Sequence, residues 1–174
     1  MRSTEATVHP LKTAATPSSP LVLRPATARD FPALVALSRS SGVFTEVELD
    51  CLAEDLTGCD PAAGDALAVA ADGEGRPLGF IQYSPAIITE GTWYVYWIAV
   101  AKQTHGQGVG GALLAQAEEA IRALGGRQVL IETSSKSIYD ATRRFYLGRG
   151  YRIAAQLPDY YAIGDDKCIF LKRL

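Results

Sequence analysis

The chain has 174 residues, 48% of them hydrophobic, and a formal net charge of −2 with both signs dispersed along it. That is enough material for one domain with its own core, and it argues against general disorder. With no polybasic run, and no apolar run near the ~20 residues that span a bilayer, neither nucleic acid nor a membrane is an expected partner.

Residues 1–19 are rich in Ser, Thr, Ala and Pro and lack the apolar stretch of a secretory signal. They are expected to form a flexible arm ahead of a single domain over residues 20–174. Leu21 to Arg24 reads as a short strand stopped by Pro25. Thr27, three residues before Asp30, resembles a capping-box start, and Phe31, Leu34, Val35 and Leu37 follow at helical spacing. Ser40-Ser41-Gly42 breaks the chain, and Thr45 is placed to cap a second helix carrying Val47, Leu49, Leu52 and Leu56. Residues 58–64 form a loop whose Cys59, like Cys51 and Cys168, has no CxxC partner and no nearby His. The three thiols therefore imply no metal and fit a reducing compartment, the cytoplasm.

Two short apolar runs, 66–71 and 77–84, flank Asp72-Gly73-Glu74-Gly75 and read as a hairpin. The aromatic and β-branched run Thr92 to Val100 reads as a central strand. Its alternation puts Trp93 and Trp97 on one face and Tyr94 and Tyr96 on the other. Residues 108–124 have helical periodicity ending at Gly125-Gly126, 128–133 read as a second buried strand, and 138–147 as a shorter helix. Residues 151–157 and 167–172 complete the chain as two strands joined by LPDYYAIGDD, an acidic and aromatic loop or hairpin. The order β-α-α-β-β-β-α-β-α-β-β predicts an α/β (α+β) fold: a mixed central sheet of about seven strands flanked by about four helices.

Between the central strand and the long helix lies Val100-Ala-Lys-Gln-Thr-His105-Gly106-Gln107-Gly108-Val109-Gly110-Gly111. Glycines there let backbone N–H groups converge, and the helix N-terminus adds partial positive charge, so the segment is suited to a pyrophosphate. No Gly-Lys-Ser/Thr follows, which removes a Walker loop. Gly106, Gly108 and Gly111 do spell G-x-G-x-x-G, with Glu132 near the place of a ribose-binding acid, so a dinucleotide-binding protein is a competing reading. Against it, five residues separate Val100 from Gly106, hairpin-linked strands precede the loop, and only about sixty residues follow it.

The loop resembles the coenzyme A signature of the GNAT superfamily of N-acetyltransferases, Arg/Gln-x-x-Gly-x-Gly/Ala after a strand ending in Val. His105 stands where that signature has Arg or Gln. Phe145-Tyr146-Leu147-Gly148-Arg149-Gly150-Tyr151 resembles the family's second signature, whose Asn position is Tyr139 and whose Ala position is Thr142. Leu23 to Thr27 with Asp30, and Leu78-Gly79-Phe80, resemble its opening elements and third strand. The resemblance covers roughly residues 20–174 and implies a GNAT-type sheet. It also implies an acetyl-CoA-dependent N-acetyltransferase acting on a small-molecule or peptide amine by direct attack on the thioester.

By that resemblance, the strand end Ile98, Ala99 and Val100 offers backbone groups to the pantetheine arm. His105 to Gly111 hold the pyrophosphate, and Tyr139 reaches the cofactor. Tyr146 falls on the general-acid position and Glu132 is the candidate base, with Glu90 and Asp159 behind it. Arg143 and Arg144 read as a solvated helix face or as contacts to the 3′-phosphate. The Asn that contacts pantetheine in the family has no counterpart, since the chain contains no Asn. A non-catalytic acyl-CoA-binding module of the same fold is therefore the nearest alternative, and a homodimer is compatible with either.

Overall fold

Seven strands and four helices form over residues 20–174, the part of the chain that this computed structural model describes. The arm expected over residues 1–19 lies outside the described residues. In chain order the elements are β1 (Val22–Pro25), α1 (Phe31–Ser41), α2 (Glu46–Gly58), β2 (Ala66–Ala71), β3 (Pro77–Pro85), β4 (Thr92–Val100), α3 (Val109–Ala123), β5 (Gln128–Ser134), α4 (Asp140–Gly148), β6 (Arg152–Ala162) and β7 (Asp165–Arg173). The strands make one sheet in the order β1-β2-β3-β4-β5-β7-β6. Among the described residues only β4 and β5 pair in parallel; the other neighbours are antiparallel. This is the mixed sheet expected from the sequence, and not the parallel sheet of a dinucleotide-binding domain. Among the described residues no helix is long and apolar enough to cross a membrane.

The sheet is covered on both faces. Leu34, Leu49, Leu52 and Leu56 of α1 and α2 bury against Val69 and Phe80 on one side. Leu113, Leu114 and Ile121 of α3 bury against Ile81, Val95 and Val129 on the other, with Tyr146 of α4 and Phe170 of β7 completing that layer. Each such side chain contributes about 1.5–3 kcal/mol by leaving water, so packing on the sheet, more than local propensity, holds these short helices.

Two local expectations change. Thr45 caps α2 through a complete capping box with Glu48, as read from the sequence. Thr27 caps nothing. Asp30 is the N-cap of α1, and its carboxylate accepts from the Thr27 backbone and hydroxyl and from both terminal nitrogens of Arg24. Arg24, 2.7 Å away, holds the Asp30 carboxyl well below the usual carboxylate range. A depressed folded-state pKa stabilises the protein above the unfolded value of about 4, and that contribution is lost as pH falls below it. Asp30→Asn should therefore lower stability at neutral pH and flatten the acid limb of a urea-unfolding series, with the two proteins converging at low pH.

The second change is the parity of β4. Gln82 pairs with Trp97 and Tyr83 with Val95, so Tyr96 is an extra, bulged residue. Trp93 and Val95 face the α3 layer, whereas Trp97 and Ala99 pack toward α1 and α2. Trp93 and Trp97 thus do not share a face, contrary to strict alternation, because one inserted residue reverses every side chain beyond it. A bulge also bends its strand, and β4 keeps its parallel partner only as far as Val95↔Ile131. Beyond that pair the two central strands have no register with each other.

Candidate active site

The opening between β4 and β5 exposes a defined set of backbone groups. Ala101 N–H donates to Leu78 O across the β3–β4 ladder. By the alternation of an antiparallel ladder, Ala99 then also bonds toward β3, and Ile98 and Val100 turn their N–H and C=O toward the gap. Of the three strand-end residues singled out from the sequence, Ile98 and Val100 present backbone groups there. Ala99 spends its backbone on β3 and buries its side chain under α1.

The glycine loop sits at the end of this gap. Gly106 and Gly108 have φ of +77° and +85°, a region that L side chains rarely adopt, and Gly108 is the N-cap of α3 with no side-chain cap. The N–H groups of Gly106, Gly108, Val109, Gly110 and Gly111 find no acceptor among the described residues. They surround a helix N-terminus, the electropositive end of the peptide dipoles. His105 turns away from them: its Nε2 donates to Val100 O at 3.1 Å, tying the loop to the strand end. Gln107 bonds back to Gln103 O.

A cavity of about 440 Å³ follows the loop from Ala99 and Val100 past Gly106 to Gly111 and on to Phe145 and Arg149. Arg149 lines this cavity without having been singled out as a site residue from the sequence. Its guanidinium lies over the first turn of α3, where a Cβ on Gly111 would come within 2.1 Å of Nη2, and it stacks 5.5 Å from the Phe145 ring. No carboxylate pairs with it among the described residues. Arg143, by contrast, is tied to Ser134 O, Lys136 O and Asp140 and lines neither cavity, as does Arg144. The unbonded N–H groups, the free guanidinium and the unpaired strand edge fit a ligand with phosphates at one end and an amide-bearing arm, as coenzyme A has.

A second cavity, about 830 Å³, lies along the gap, lined by Tyr94 to Ile98 of β4 and Ile131 to Ser134 of β5. The two share Val43, Phe44, Ile98, Thr142 and Tyr146. Tyr146 is 3% exposed, held among Phe145, Tyr151 and Phe170, and burial pushes its phenol well above the usual value. Its hydroxyl makes no hydrogen bond among the described residues, so none of them competes for it.

Glu132 lines the second cavity, and Lys167 reaches its Oε2 at 2.6 Å. That lysine also lies 3.6 Å from the Tyr160 ring centroid. The segment expected to join the last two strands is mostly strand. β6 runs through Leu157 to Ala162 with a break in register and φ +51° at Asp159, and this irregular stretch brings Tyr161 to the cavity wall. Tyr139 lines the second cavity and not the glycine-loop one; its hydroxyl donates to Val43 O at 3.3 Å and lies 3.5 Å from Glu48 Oε1. Glu90 and Asp159 line neither cavity.

Comparison with known proteins identifies relatives of this fold. The profile of the acetyltransferase (GNAT) domain matches residues 63–153. An uncharacterized N-acetyltransferase of Methanocaldococcus jannaschii is 31% identical over 101 residues, which cover 58% of this chain and 62% of that relative. The crystal structure of a protein described as an acetyltransferase of the GNAT family, from Desulfovibrio desulfuricans, is 33% identical. It superposes with a TM-score of 0.82 over 88% of this chain and 99% of its own. An aminoglycoside 6′-N-acetyltransferase solved with coenzyme A shares the fold at 16% identity, with a TM-score of 0.69 over 87% of this chain and 96% of its own.

Proposed function

Because this chain belongs to the GNAT acetyltransferase family, we propose that it moves the acetyl group of acetyl-CoA to a primary amine by direct attack of the amine on the thioester. The observation that carries the reading is the meeting of two cavities at Ile98 and Tyr146. The one beside the glycine loop takes the donor, and the one beside Glu132 takes the acceptor. Acetyl-CoA supplies an activated acyl carbon and a thiolate leaving group.

The protein's own groups divide the remaining work. The loop N–H groups and Arg149 bind phosphate, and Ile98 and Val100 align the pantetheine arm as an added strand edge would. A backbone N–H directed into the gap stabilises negative charge as it develops on the thioester oxygen. Free alkylamines are largely protonated at neutral pH, so a proton must leave before attack. Glu132 takes it, with Lys167 and the Tyr160 ring fixing the carboxylate's position. The C–N bond forms as the C–S bond breaks, the departing thiolate accepts a hydrogen bond from Tyr146, and the nitrogen gives up its second proton to solvent. We place the reaction in the cytoplasm, consistent with three free cysteines.

Release of free thiol on mixing the protein with acetyl-CoA and a panel of primary amines tests the reading. Turnover with any of them supports it, and acetyl-CoA binding without release for every amine would instead favour a non-catalytic binding module. Arg149 gives a finer test. A guanidinium–phosphate bond contributes about 1.5–3 kcal/mol, so Arg149→Ala should weaken acetyl-CoA binding at least ~10-fold. Loss confined to the 3′-phosphorylated form, measured against 3′-dephospho-CoA, puts the guanidinium on that phosphate. Equal loss for both puts it on the pyrophosphate, and a change below twofold removes it from the site.

A further inference from the structure

The acceptor cavity has an uneven distribution of charge. Four charged side chains line it: Glu48, Glu132, Lys136 and Asp165. Asp165 is 5% exposed, is neutralised by Lys136 at 3.2 Å, and accepts a hydrogen bond from the Ser134 hydroxyl. Glu132 is neutralised by Lys167. Glu48 pairs with no cationic side chain among the described residues. Its Oε2 is occupied by the Thr45 N–H at 2.7 Å and the Thr45 hydroxyl at 2.8 Å. Its Oε1 faces only the Tyr139 hydroxyl at 3.5 Å, long for an O–H···O bond.

The cavity that this oxygen lines also has aromatic walls: Phe44, which meets Trp97 edge-on at 5.9 Å, and Tyr139, whose hydroxyl stands beside Glu48. Burial and the Glu48 charge together push the Tyr139 phenol up to about 12, so it stays neutral and can flank a cation. Aromatic faces attract ammonium groups, and the protein already uses that contact where Lys167 lies over Tyr160.

The geometry points to an acceptor with two cationic groups: one loses its proton to Glu132 and is acetylated, and the other stays protonated against Glu48, between Tyr139 and Phe44. This rests on the acyl-transfer reading and names its substrate class, a diamine or an amine with a distal cation. Glu48 is the specificity residue. An acceptor with a carboxylate in place of the distal cation meets an unneutralised negative charge at the same position.

The test compares α,ω-diamines of graded length with n-alkyl monoamines of equal length. Binding of each to the full chain loaded with CoA is measured calorimetrically, beside Glu48→Gln. Glutamine at the third helical position preserves the capping box, so the variant keeps its fold. In the wild-type protein a diamine is expected to bind at least ~10-fold more tightly than its monoamine, one 1.4 kcal/mol step and well beyond the twofold advantage of having two ends. In Glu48→Gln that ratio should fall to about the statistical value, with CoA affinity unchanged. Equal binding of the two amines by the wild type, no diamine binding at millimolar concentration, or a ratio that survives Glu48→Gln would each overturn the assignment. Failure of CoA itself to bind would instead remove the acyl-transfer reading beneath it.

Discussion

Tyr146→Phe is expected to lower kcat by roughly 10- to 150-fold, with acetyl-CoA affinity changed less than twofold and stability within about 0.5 kcal/mol. The size follows from what the phenol can do. A free thiol titrates near 8.5 and a free phenol near 10, and burial moves Tyr146 further up. Complete proton transfer from the phenol to the thiolate is therefore uphill. Hydrogen bonding to the departing sulfur is not, and one hydrogen bond to a charged group is worth about 1.5–3 kcal/mol, which converts to that range of rates. Because the hydroxyl has no partner among the described residues, removing it strands no donor or acceptor among them, and the ring keeps its contacts with Phe145, Tyr151 and Phe170. Single-turnover thiol release with separate measurement of acetyl-CoA affinity checks the split. An equal loss in both would mean that Tyr146 binds the donor uniformly and plays no special part when the C–S bond breaks.

Gly108→Asp should abolish most donor binding. A Cβ at Gly108 meets nothing within 4 Å, so the substitution is not a steric one. Its φ of +85° costs any L residue something, but Asn and Asp tolerate that region better than most. Gly108→Asn therefore carries the backbone cost without the charge. A carboxylate about 6 Å from a phosphate charge, at an effective dielectric constant of about 20, repels it by about 3 kcal/mol. Gly108→Asp should thus bind acetyl-CoA ~100-fold more weakly than Gly108→Asn, and the two variants should unfold at similar temperatures. Comparable affinity for both would place the phosphates away from the N-terminus of α3.

The parts of the site legible in sequence were those fixed by local chemistry. Glycines clustered between a strand and a helix let several backbone N–H groups converge, and Tyr146 falls on the buried face of the short helix α4. The run from Thr92 to Val100 could only be a strand. What that run does not reveal is the bulge at Tyr96: its residues are uniformly strand-forming, and an inserted residue leaves no compositional mark. The parity of Trp93 and Trp97, and with it one wall of the larger cavity, was therefore not readable.

The stretch from Leu157 to Ala162 reads as part of a loop because Pro158 and Asp159 each interrupt a ladder. An edge strand tolerates them, since its outer N–H groups need no partner, and β6 lies at the sheet edge. Arg149 and Lys167 escaped for a different reason. Each acts across a tertiary contact, Arg149 on the first turn of α3 and Lys167 on Glu132 from the neighbouring strand, and no periodicity connects such partners. Glu48 was hidden behind its own local role, because a carboxylate at the third position of a capped helix is fully explained by the cap.

Calorimetric titration of the full chain with acetyl-CoA, with NAD and ATP as controls, tests the central claim most directly. Binding of acetyl-CoA alone, to a single site at micromolar affinity, is the predicted result. Absence of acetyl-CoA binding, or a preference for NAD, would contradict the assignment of the β4–β5 opening and its glycine loop to an acyl donor.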